Sequence, residues 1–254
     1  MIRDLLRLVG VYRLYERWLM KQLDGRIKVE HIAVIADERV YHKVGGEPAN
    51  SLSSKVIDLL KWCVELDVKC FTIYALSTDY LRARKGHDGV LEALENGLRS
   101  ILLDGILHRY QVRFKAIGKV DLFPERIKGL IASLEESTRG YVKYFLNLAL
   151  AYGGRTEIVD AARKMAKDVK LGKIEPESVE DLALEGYLYT SYLPKQDPDL
   201  IVRTSGDERL SGFLLWQSAY SELCFLDVDW VDLRKVDILR AIRTFQKRRR
   251  RFGL

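Results

Sequence analysis

Three side chains suited to holding a phosphorylated ligand sit close together in the chain. Arg203, Arg209 and Ser211 follow directly on the apolar run Leu200-Ile201-Val202. A guanidinium can grip two phosphate oxygens in a fork, and the turn Thr204-Ser205-Gly206 can add backbone N–H donors, so the grouping suits a diphosphate. The same arginines could equally be satisfied inside the protein by Asp207, Glu208 and Glu222, and the residues alone leave both readings open. A second candidate is Asp37, which closes the run His31-Ile32-Ala33-Val34-Ile35-Ala36. A carboxylate there could hold Mg²⁺ together with substrate phosphates and water, or could cap a helix or pair with a loop cation.

Both groups need a scaffold that brings strand ends together. Residues 31–37 and 70–76 are short apolar runs of the kind buried on both faces of a parallel sheet. Residues 111–117, 143–151, 199–203 and 223–226 read as further strands. Between them lie helical patterns at 51–66, 88–108, from Pro124 to about 137, from Glu157 onward, at 176–192 and at 232–248. Alternating strands and helices predict one α/β domain with a parallel sheet, and such sheets take ligands at the carboxyl ends of their strands. Residues 2–23 form a separate amphipathic pattern: Leu5, Leu8, Val9, Tyr12, Tyr15, Leu19 and Leu23 make an apolar stripe with arginines between. That helix could pack on the core or lie on a membrane surface. The expected organisation is therefore an N-terminal amphipathic helix over residues 1–25 and a single domain over 26–254.

Composition removes several alternatives. Hydrophobic residues make up 48% of the 254, enough for a stable core. Three scattered cysteines, none in a C-x-x-C pair, argue against a disulfide framework or a zinc site and suit a reducing cytoplasm. No apolar run spans a bilayer, and the charged N-terminus is not a signal peptide. The net charge of +6, partly gathered in Lys247-Arg248-Arg249-Arg250-Arg251, suits a diphosphate or anionic headgroups; no nucleic-acid-binding motif accompanies it.

The stretch Pro198–Glu222 resembles the signature D-L-x-I-R-T-G/S-G-E-x-R-L/I-S-x-F-L-L-W-Q-x-A-Y-x-E of the cis-prenyltransferase (undecaprenyl diphosphate synthase-like) family, with Asp207 in place of the glutamate. His31–Asp37, Tyr74–Asp79, Asn147–Arg155 and Arg250–Gly253 resemble its shorter motifs. The resemblance implies a central parallel sheet of about six strands surrounded by helices, with an apolar tunnel for the growing chain. It implies a transferase that joins isopentenyl diphosphate to an allylic prenyl diphosphate with Mg²⁺. Arg203, Arg209 and Ser211 would hold the isopentenyl diphosphate. Asp37, the expected catalytic residue, would hold the metal with Glu222. Arg251 and Gly253 would reach across a dimer interface, in a homodimer or a heterodimer with a paralogue.

One half of that site departs from the pattern. Where the family reads D-G-N-G/R-R-W/Y, this chain reads Asp37-Glu38-Arg39-Val40-Tyr41-His42, and Asp79-Tyr80 stands where the family has E-N. Arg39, Arg82 and Arg84 are the available replacements for the lost donors on the allylic side. Three explanations stay open: an active transferase that receives its allylic substrate differently, a transferase with an altered acceptor, and an accessory subunit of a hetero-oligomer. The intact clamp favours chemistry in this chain. A non-catalytic basic or lipid-binding module is the reading from outside enzymology.

Overall fold

The computed structural model describes residues 11–25, 28–36, 51–83 and 88–249. Its centre is built from six short runs rich in β-branched and aromatic residues, which fit a pleated surface covered on both sides. They are β1 (His31–Ile35), β2 (Cys70–Tyr74), β3 (Val112–Ile117), β4 (Tyr144–Ala149), β5 (Leu200–Arg203) and β6 (Glu222–Phe225). They form one six-stranded sheet in the order β3-β4-β2-β1-β5-β6, with every pairing parallel. Residues of β1, β2 and β4 are all buried, as central parallel strands require.

Alternation along the strands divides the core in two. Ile32, Val34, Phe71, Ile73, Phe114, Leu146, Leu148, Leu200 and Val202 point to one face. There they meet Val56, Leu59 and Leu60 of α1 (Ser51–Glu65), Leu94 and Leu98 of α2 (Asp88–Asp104), Ile127 and Ile131 of α3 (Glu125–Thr138), and Ile238 and Ile242 of α4 (Lys235–Arg249). Ala33, Ile35, Tyr74, Ile117, Ala149 and Ile201 point to the other face, under Tyr152, Phe213 and Leu214. α5 (Gly154–Lys170) begins just beyond β4 on this side.

The strand order sets where a ligand can enter. From β1 the chain moves to β2 on one flank. From β5 it moves to β6 on the other. The ends of β1 and β5 therefore border the crevice at which the winding reverses, the usual ligand position of open α/β sheets.

The helix Val11–Gln22 packs rather than standing clear. Leu19 is fully buried against Val236 and Leu239 of α4. Three cation–π contacts run along the seam, Arg234 over Tyr12, Arg240 over Tyr15 and Arg243 over Trp18, each at 5.2 Å. Leu14 and, at the edge of the seam, Trp18 remain exposed. Among the described residues, no helix is long and apolar enough to cross a membrane.

Two expected helices are revised. The pattern at 88–108 is broken at Gly105, whose φ of 71° lies in the left-handed region that ends a helix cheaply only for glycine. The pattern at 176–192 yields only a 3₁₀ turn at 176–178, a single turn at Asp181–Glu185 and then a chain of turns. Tertiary demands win there: Leu188 and Leu193 are buried, and the Tyr189 N–H is taken by the Glu157 carboxylate instead of a helical carbonyl.

A buried polar chain crosses the second face of the sheet. His31 Nε2 lies 2.8 Å from Thr72 Oγ1, Asn147 Nδ2 donates to the same oxygen at 2.9 Å, and the Tyr192 hydroxyl donates to Asn147. Burial holds the His31 imidazole down at about 3, far below 6.5. The native state thus refuses a proton that the unfolded state accepts below pH 6.5, and stability falls as pH drops from there toward 3. Between pH 7 and pH 5 this group should cost about 2 kcal/mol of unfolding free energy. Urea unfolding of the wild type and His31→Gln should show the variant losing less stability over that interval; parallel losses would contradict the assignment.

Candidate active site

The clamp is assembled by the end of β5 and the turn that follows. Strand register pairs Arg203 with Ile35 at the carboxyl end of β1. Thr204 fastens the junction by donating its Oγ1 to the Ile35 carbonyl at 3.1 Å. Ser205 (φ 77°) and Gly206 (φ 72°) then reverse the chain in left-handed conformations. Their N–H groups donate to the carbonyls of Val228 (2.8 Å) and Leu226 (2.9 Å), which ties the turn to the segment after β6. The reversal brings Asp207, Arg209 and Ser211 back over Arg203. Arg203 Nη1 donates to Ser211 Oγ at 2.9 Å, and Arg203 Nη2 meets Asp207 Oδ2 at 2.6 Å. Arg209 Nη2 reaches the same carboxylate oxygen at 3.0 Å.

Arg203, Arg209 and Ser211 are thus brought together. Of the two readings open in the sequence, internal pairing is realised through Asp207, yet it does not close the site. One carboxylate oxygen serves two guanidiniums, and the Arg209 side chain remains 70% exposed while that of Arg203 is 11% exposed. Beside them lies a cavity of about 400 Å³ bordered by Ile35, Ala36, Tyr74, Ser77, Asp79 and the clamp residues. The dimensions suit a small ligand, and the arginines at its edge suit an anionic one.

The far wall is held by sutures between loops. Thr78 Oγ1 donates to the Ala151 carbonyl at 2.8 Å, and the Thr78 N–H donates to the Tyr152 carbonyl at 2.9 Å. Ser77 Oγ accepts from the Tyr80 N–H at 3.0 Å, capping the short helix Thr78–Ala83. Tyr74 stacks on Phe213 with centroids 4.8 Å apart and planes within 6°. Below this, Glu157 of α5 is buried and accepts from the Tyr152 hydroxyl, the Tyr189 N–H (2.8 Å) and Gln217 Nε2 (3.1 Å). Burial pushes its carboxyl up, against the pull of those three donors.

Other expected site residues stand elsewhere. Glu222 opens β6 in register with Leu200, three residues back from Arg203 and so roughly 10 Å away at the opposite end of the sheet. Its carboxylate pairs with Arg248 Nη1 at 2.7 Å, so within this chain it does not join the cavity. Arg82, in the last turn of Thr78–Ala83, is exposed and is not among the residues bordering the cavity. Asp37, Arg39, Arg84, Arg251 and Gly253 lie outside the described residues. Asp37 directly follows Ala36, which does border the cavity. Sequence reading overlooked Tyr74 and Ser77 as cavity residues; their place at the end of β2, beside β1, was the available signal.

The donors are of the kind a hard cation prefers. Asp79, Asp207 and Ser77 present oxygens, and no thiol or imidazole is among the described lining residues. Among the described residues no three ligand-type side chains gather. A divalent ion here would therefore be completed by phosphate oxygens and water, the way Mg²⁺ is commonly bound.

Comparison with known proteins decides the family. The prenyltransferase family model, undecaprenyl diphosphate synthase, matches residues 42–253. The chain belongs to this undecaprenyl diphosphate synthase family. It is 44% identical over 250 residues to a tritrans,polycis-undecaprenyl-diphosphate synthase (geranylgeranyl-diphosphate specific) of Methanopyrus kandleri, covering 96% of this chain and 91% of that one. It is 42% identical to the protein of that name from Methanocaldococcus jannaschii, covering 96% and 89%. Among solved structures, lavandulyl diphosphate synthase from Lavandula x intermedia in complex with dimethylallyl diphosphate superposes with a TM-score of 0.80 at 29% identity, covering 87% of this chain and 97% of that one. A probable undecaprenyl diphosphate synthase from Campylobacter jejuni gives 0.73 at 29% identity, covering 90% and 100%. The chain is accordingly a cis-prenyltransferase by family, and these relatives lend no support to the accessory-subunit reading.

Asp207 offers a direct check on the clamp. Asp207→Asn should lower stability by about 1–2 kcal/mol in anion-free buffer, because the largely buried Arg203 loses its only carboxylate partner among the described residues. Inorganic pyrophosphate, taking the carboxylate's place, should raise the melting temperature of the variant more than that of the wild type. Equal shifts in the two proteins would mean that the anion binds elsewhere.

Proposed function

We propose that this transferase of the undecaprenyl diphosphate synthase family condenses isopentenyl diphosphate with an allylic prenyl diphosphate to lengthen a cis-polyprenyl chain, with geranylgeranyl diphosphate as the first acceptor. The observation that carries the reading is the convergence of Arg203, Arg209 and Ser211 at the edge of a cavity placed where the sheet reverses its winding. The choice of acceptor rests on the names of the archaeal relatives.

In this reaction the double bond of isopentenyl diphosphate attacks C1 of the allylic diphosphate. A new carbon–carbon bond forms, the C1–O bond breaks, and pyrophosphate departs with the bonding electrons. A proton then leaves C2 of the isopentenyl unit, restoring a double bond. The protein has little covalent work to do. It must place the two substrates, offset the charge on the leaving group and keep water from the cation-like centre.

Arg203 and Arg209 fix the isopentenyl diphosphate from two sides, and Ser211 Oγ sets the plane of the Arg203 guanidinium. Asp207 holds the pair in place before the ligand arrives and is the group that the diphosphate must outcompete. Mg²⁺, when bound, would be held by Asp37 and phosphate oxygens and would draw off diphosphate charge. Tyr74, held by its stack on Phe213, gives the cavity one apolar wall. Arg39 and Arg84 remain the candidate cations for the allylic diphosphate. Arg251 and Gly253 would serve the site of a second copy of the chain.

Radiolabelled isopentenyl diphosphate, Mg²⁺ and a panel of allylic diphosphates test the proposal. The wild type should incorporate label best onto geranylgeranyl diphosphate. Arg203→Ala and Arg209→Ala should each lose about 2–4 kcal/mol of transition-state stabilisation, or 30- to 1000-fold in kcat/KM for isopentenyl diphosphate. Unchanged kcat/KM in both variants would remove the clamp from the reaction.

A further inference from the structure

A second cavity lies on the second face of the sheet, at its β3 edge. Lys115 and Ile117 alternate to that face, and both border the cavity. Gly118, just beyond the strand, borders it too, with φ at 123°. A Cβ there would collide with the Leu150 carbonyl oxygen, so only glycine lets the chain leave β3 at this point. Tyr189 and Ser191, from the chain of turns after Glu185, form one wall, and Lys164 of α5 stands at another. The cavity measures about 320 Å³ and shares no bordering residue with the one beside Arg203. Four strand spacings separate β3 from β5, roughly 19 Å.

The two lysines at this cavity have no carboxylate of their own. The Lys115 ammonium, on a half-buried residue, lies 4.3 Å from the centre of the Tyr192 ring, which Arg113 also faces at 5.4 Å. The exposed Lys164 ammonium lies 5.7 Å from the centre of the Tyr189 ring. Neither lysine has an ion pair among the described residues. The acids nearby are already engaged. Asp160 pairs with Lys119 and Arg163 and accepts from the Tyr189 hydroxyl. Asp168 pairs with Lys173 at 2.9 Å and accepts from the Tyr187 hydroxyl at 2.7 Å. Glu135 Oε1 accepts from the Ala116 N–H at 3.0 Å. Burial lowers the Lys115 ammonium below its ordinary pKa; Glu135 opposes this, while Arg113 and Lys164 add to it. An anion beside the two lysines would relieve their mutual repulsion.

We propose that this cavity is a second anion site, in which Lys115 and Lys164 take inorganic pyrophosphate or a similarly compact phosphate-type anion, apart from the clamp. Lysine binds phosphate as a point charge and needs no fork geometry, and Ser191 adds a hydroxyl at the border. The aliphatic residues at the border, Ala116, Ile117 and Leu188, are themselves buried, so a prenyl tail would find little surface here. The site therefore suits a free anion better than the head group of a prenyl diphosphate.

Calorimetric titration of inorganic pyrophosphate at low ionic strength tests this, with the wild type, Lys115→Met/Lys164→Met, Arg209→Ala and a control. The control, Lys21→Met/Lys61→Met, removes the same charge from exposed positions on the helix Val11–Gln22 and on α1. Lys115→Met/Lys164→Met should lose one bound pyrophosphate per chain, or hold it about tenfold or more weakly, while Arg209→Ala and the control keep it. Dimethylallyl diphosphate should bind the lysine site no more tightly than pyrophosphate does. If the double variant fails to fold, Lys164→Met alone, at an exposed position, decides. Unchanged binding in the lysine variant would overturn the proposal, and so would an equal loss in the control, which would assign the effect to diffuse charge. Loss of all binding in Arg209→Ala would make the clamp the sole site and overturn it as well. Dimethylallyl diphosphate binding about tenfold more tightly than pyrophosphate would give the site to a prenyl head group instead. Binding that only the lysine variant loses would leave this site standing and count against the clamp.

Discussion

Everything at the site depends on the parallel register between β1 and β5, in which Ile35 lies opposite Arg203. Side chains alternate along a strand, so a slip of one residue would send Arg203 to the face covered by α1, α2, α3 and α4 and bury a guanidinium among leucines and isoleucines. In the observed register Arg203 shares its face with Ile201 and meets Ser211, while Leu200 and Val202 fill the opposite core. The Thr204 hydroxyl on the Ile35 carbonyl marks the same alignment at the strand ends. One backbone relationship therefore fixes both the core and the position of the charge.

Electrostatics explains why the clamp contains an acid. A guanidinium with 11% of its side chain exposed is costly to hold without a counter-charge. Asp207 supplies one and, being 42% exposed itself, remains displaceable. Arg209 shares that oxygen from solvent, so the pair of cations is preorganised around a single carboxylate instead of being neutralised one for one. Such an arrangement suits a ligand that must arrive and leave repeatedly. The strain at Ser205, Ser211 and Leu214 belongs to the same design, because tight reversals are what return Arg209 and Ser211 over a strand end.

Much of this was legible in the sequence where the determinants were local. The buried runs at His31–Ile35 and Cys70–Tyr74 announce parallel strands by being apolar at every position, and the grouping of Arg203, Arg209 and Ser211 needed only a turn to converge. Glu222 stands apart from the cavity of its own chain for a structural reason. It lies 11 residues beyond Ser211, but it starts a parallel strand, and a parallel strand starts at the end of the sheet remote from the ligand. Residues 176–192 carry helical periodicity, yet their backbone is claimed by Glu157 and their leucines by the sheet. The buried network below the cavity was invisible for a similar reason, since Glu157 and Gln217 are 60 residues apart and meet only after folding. The resemblance drew notice to Tyr152-Gly153-Gly154-Arg155, but the contact between Gly154 and Gly212 is a fact of packing alone.

The central claim is that two guanidiniums and a hydroxyl at the end of β5 receive the diphosphate of isopentenyl diphosphate. A crystal structure of the chain soaked with isopentenyl diphosphate and Mg²⁺ addresses it most directly. The account predicts a diphosphate within hydrogen-bond distance of Arg203, Arg209 and Ser211, with Asp207 displaced from at least one arginine. A diphosphate bound elsewhere, with both arginines still closed on Asp207, would contradict it.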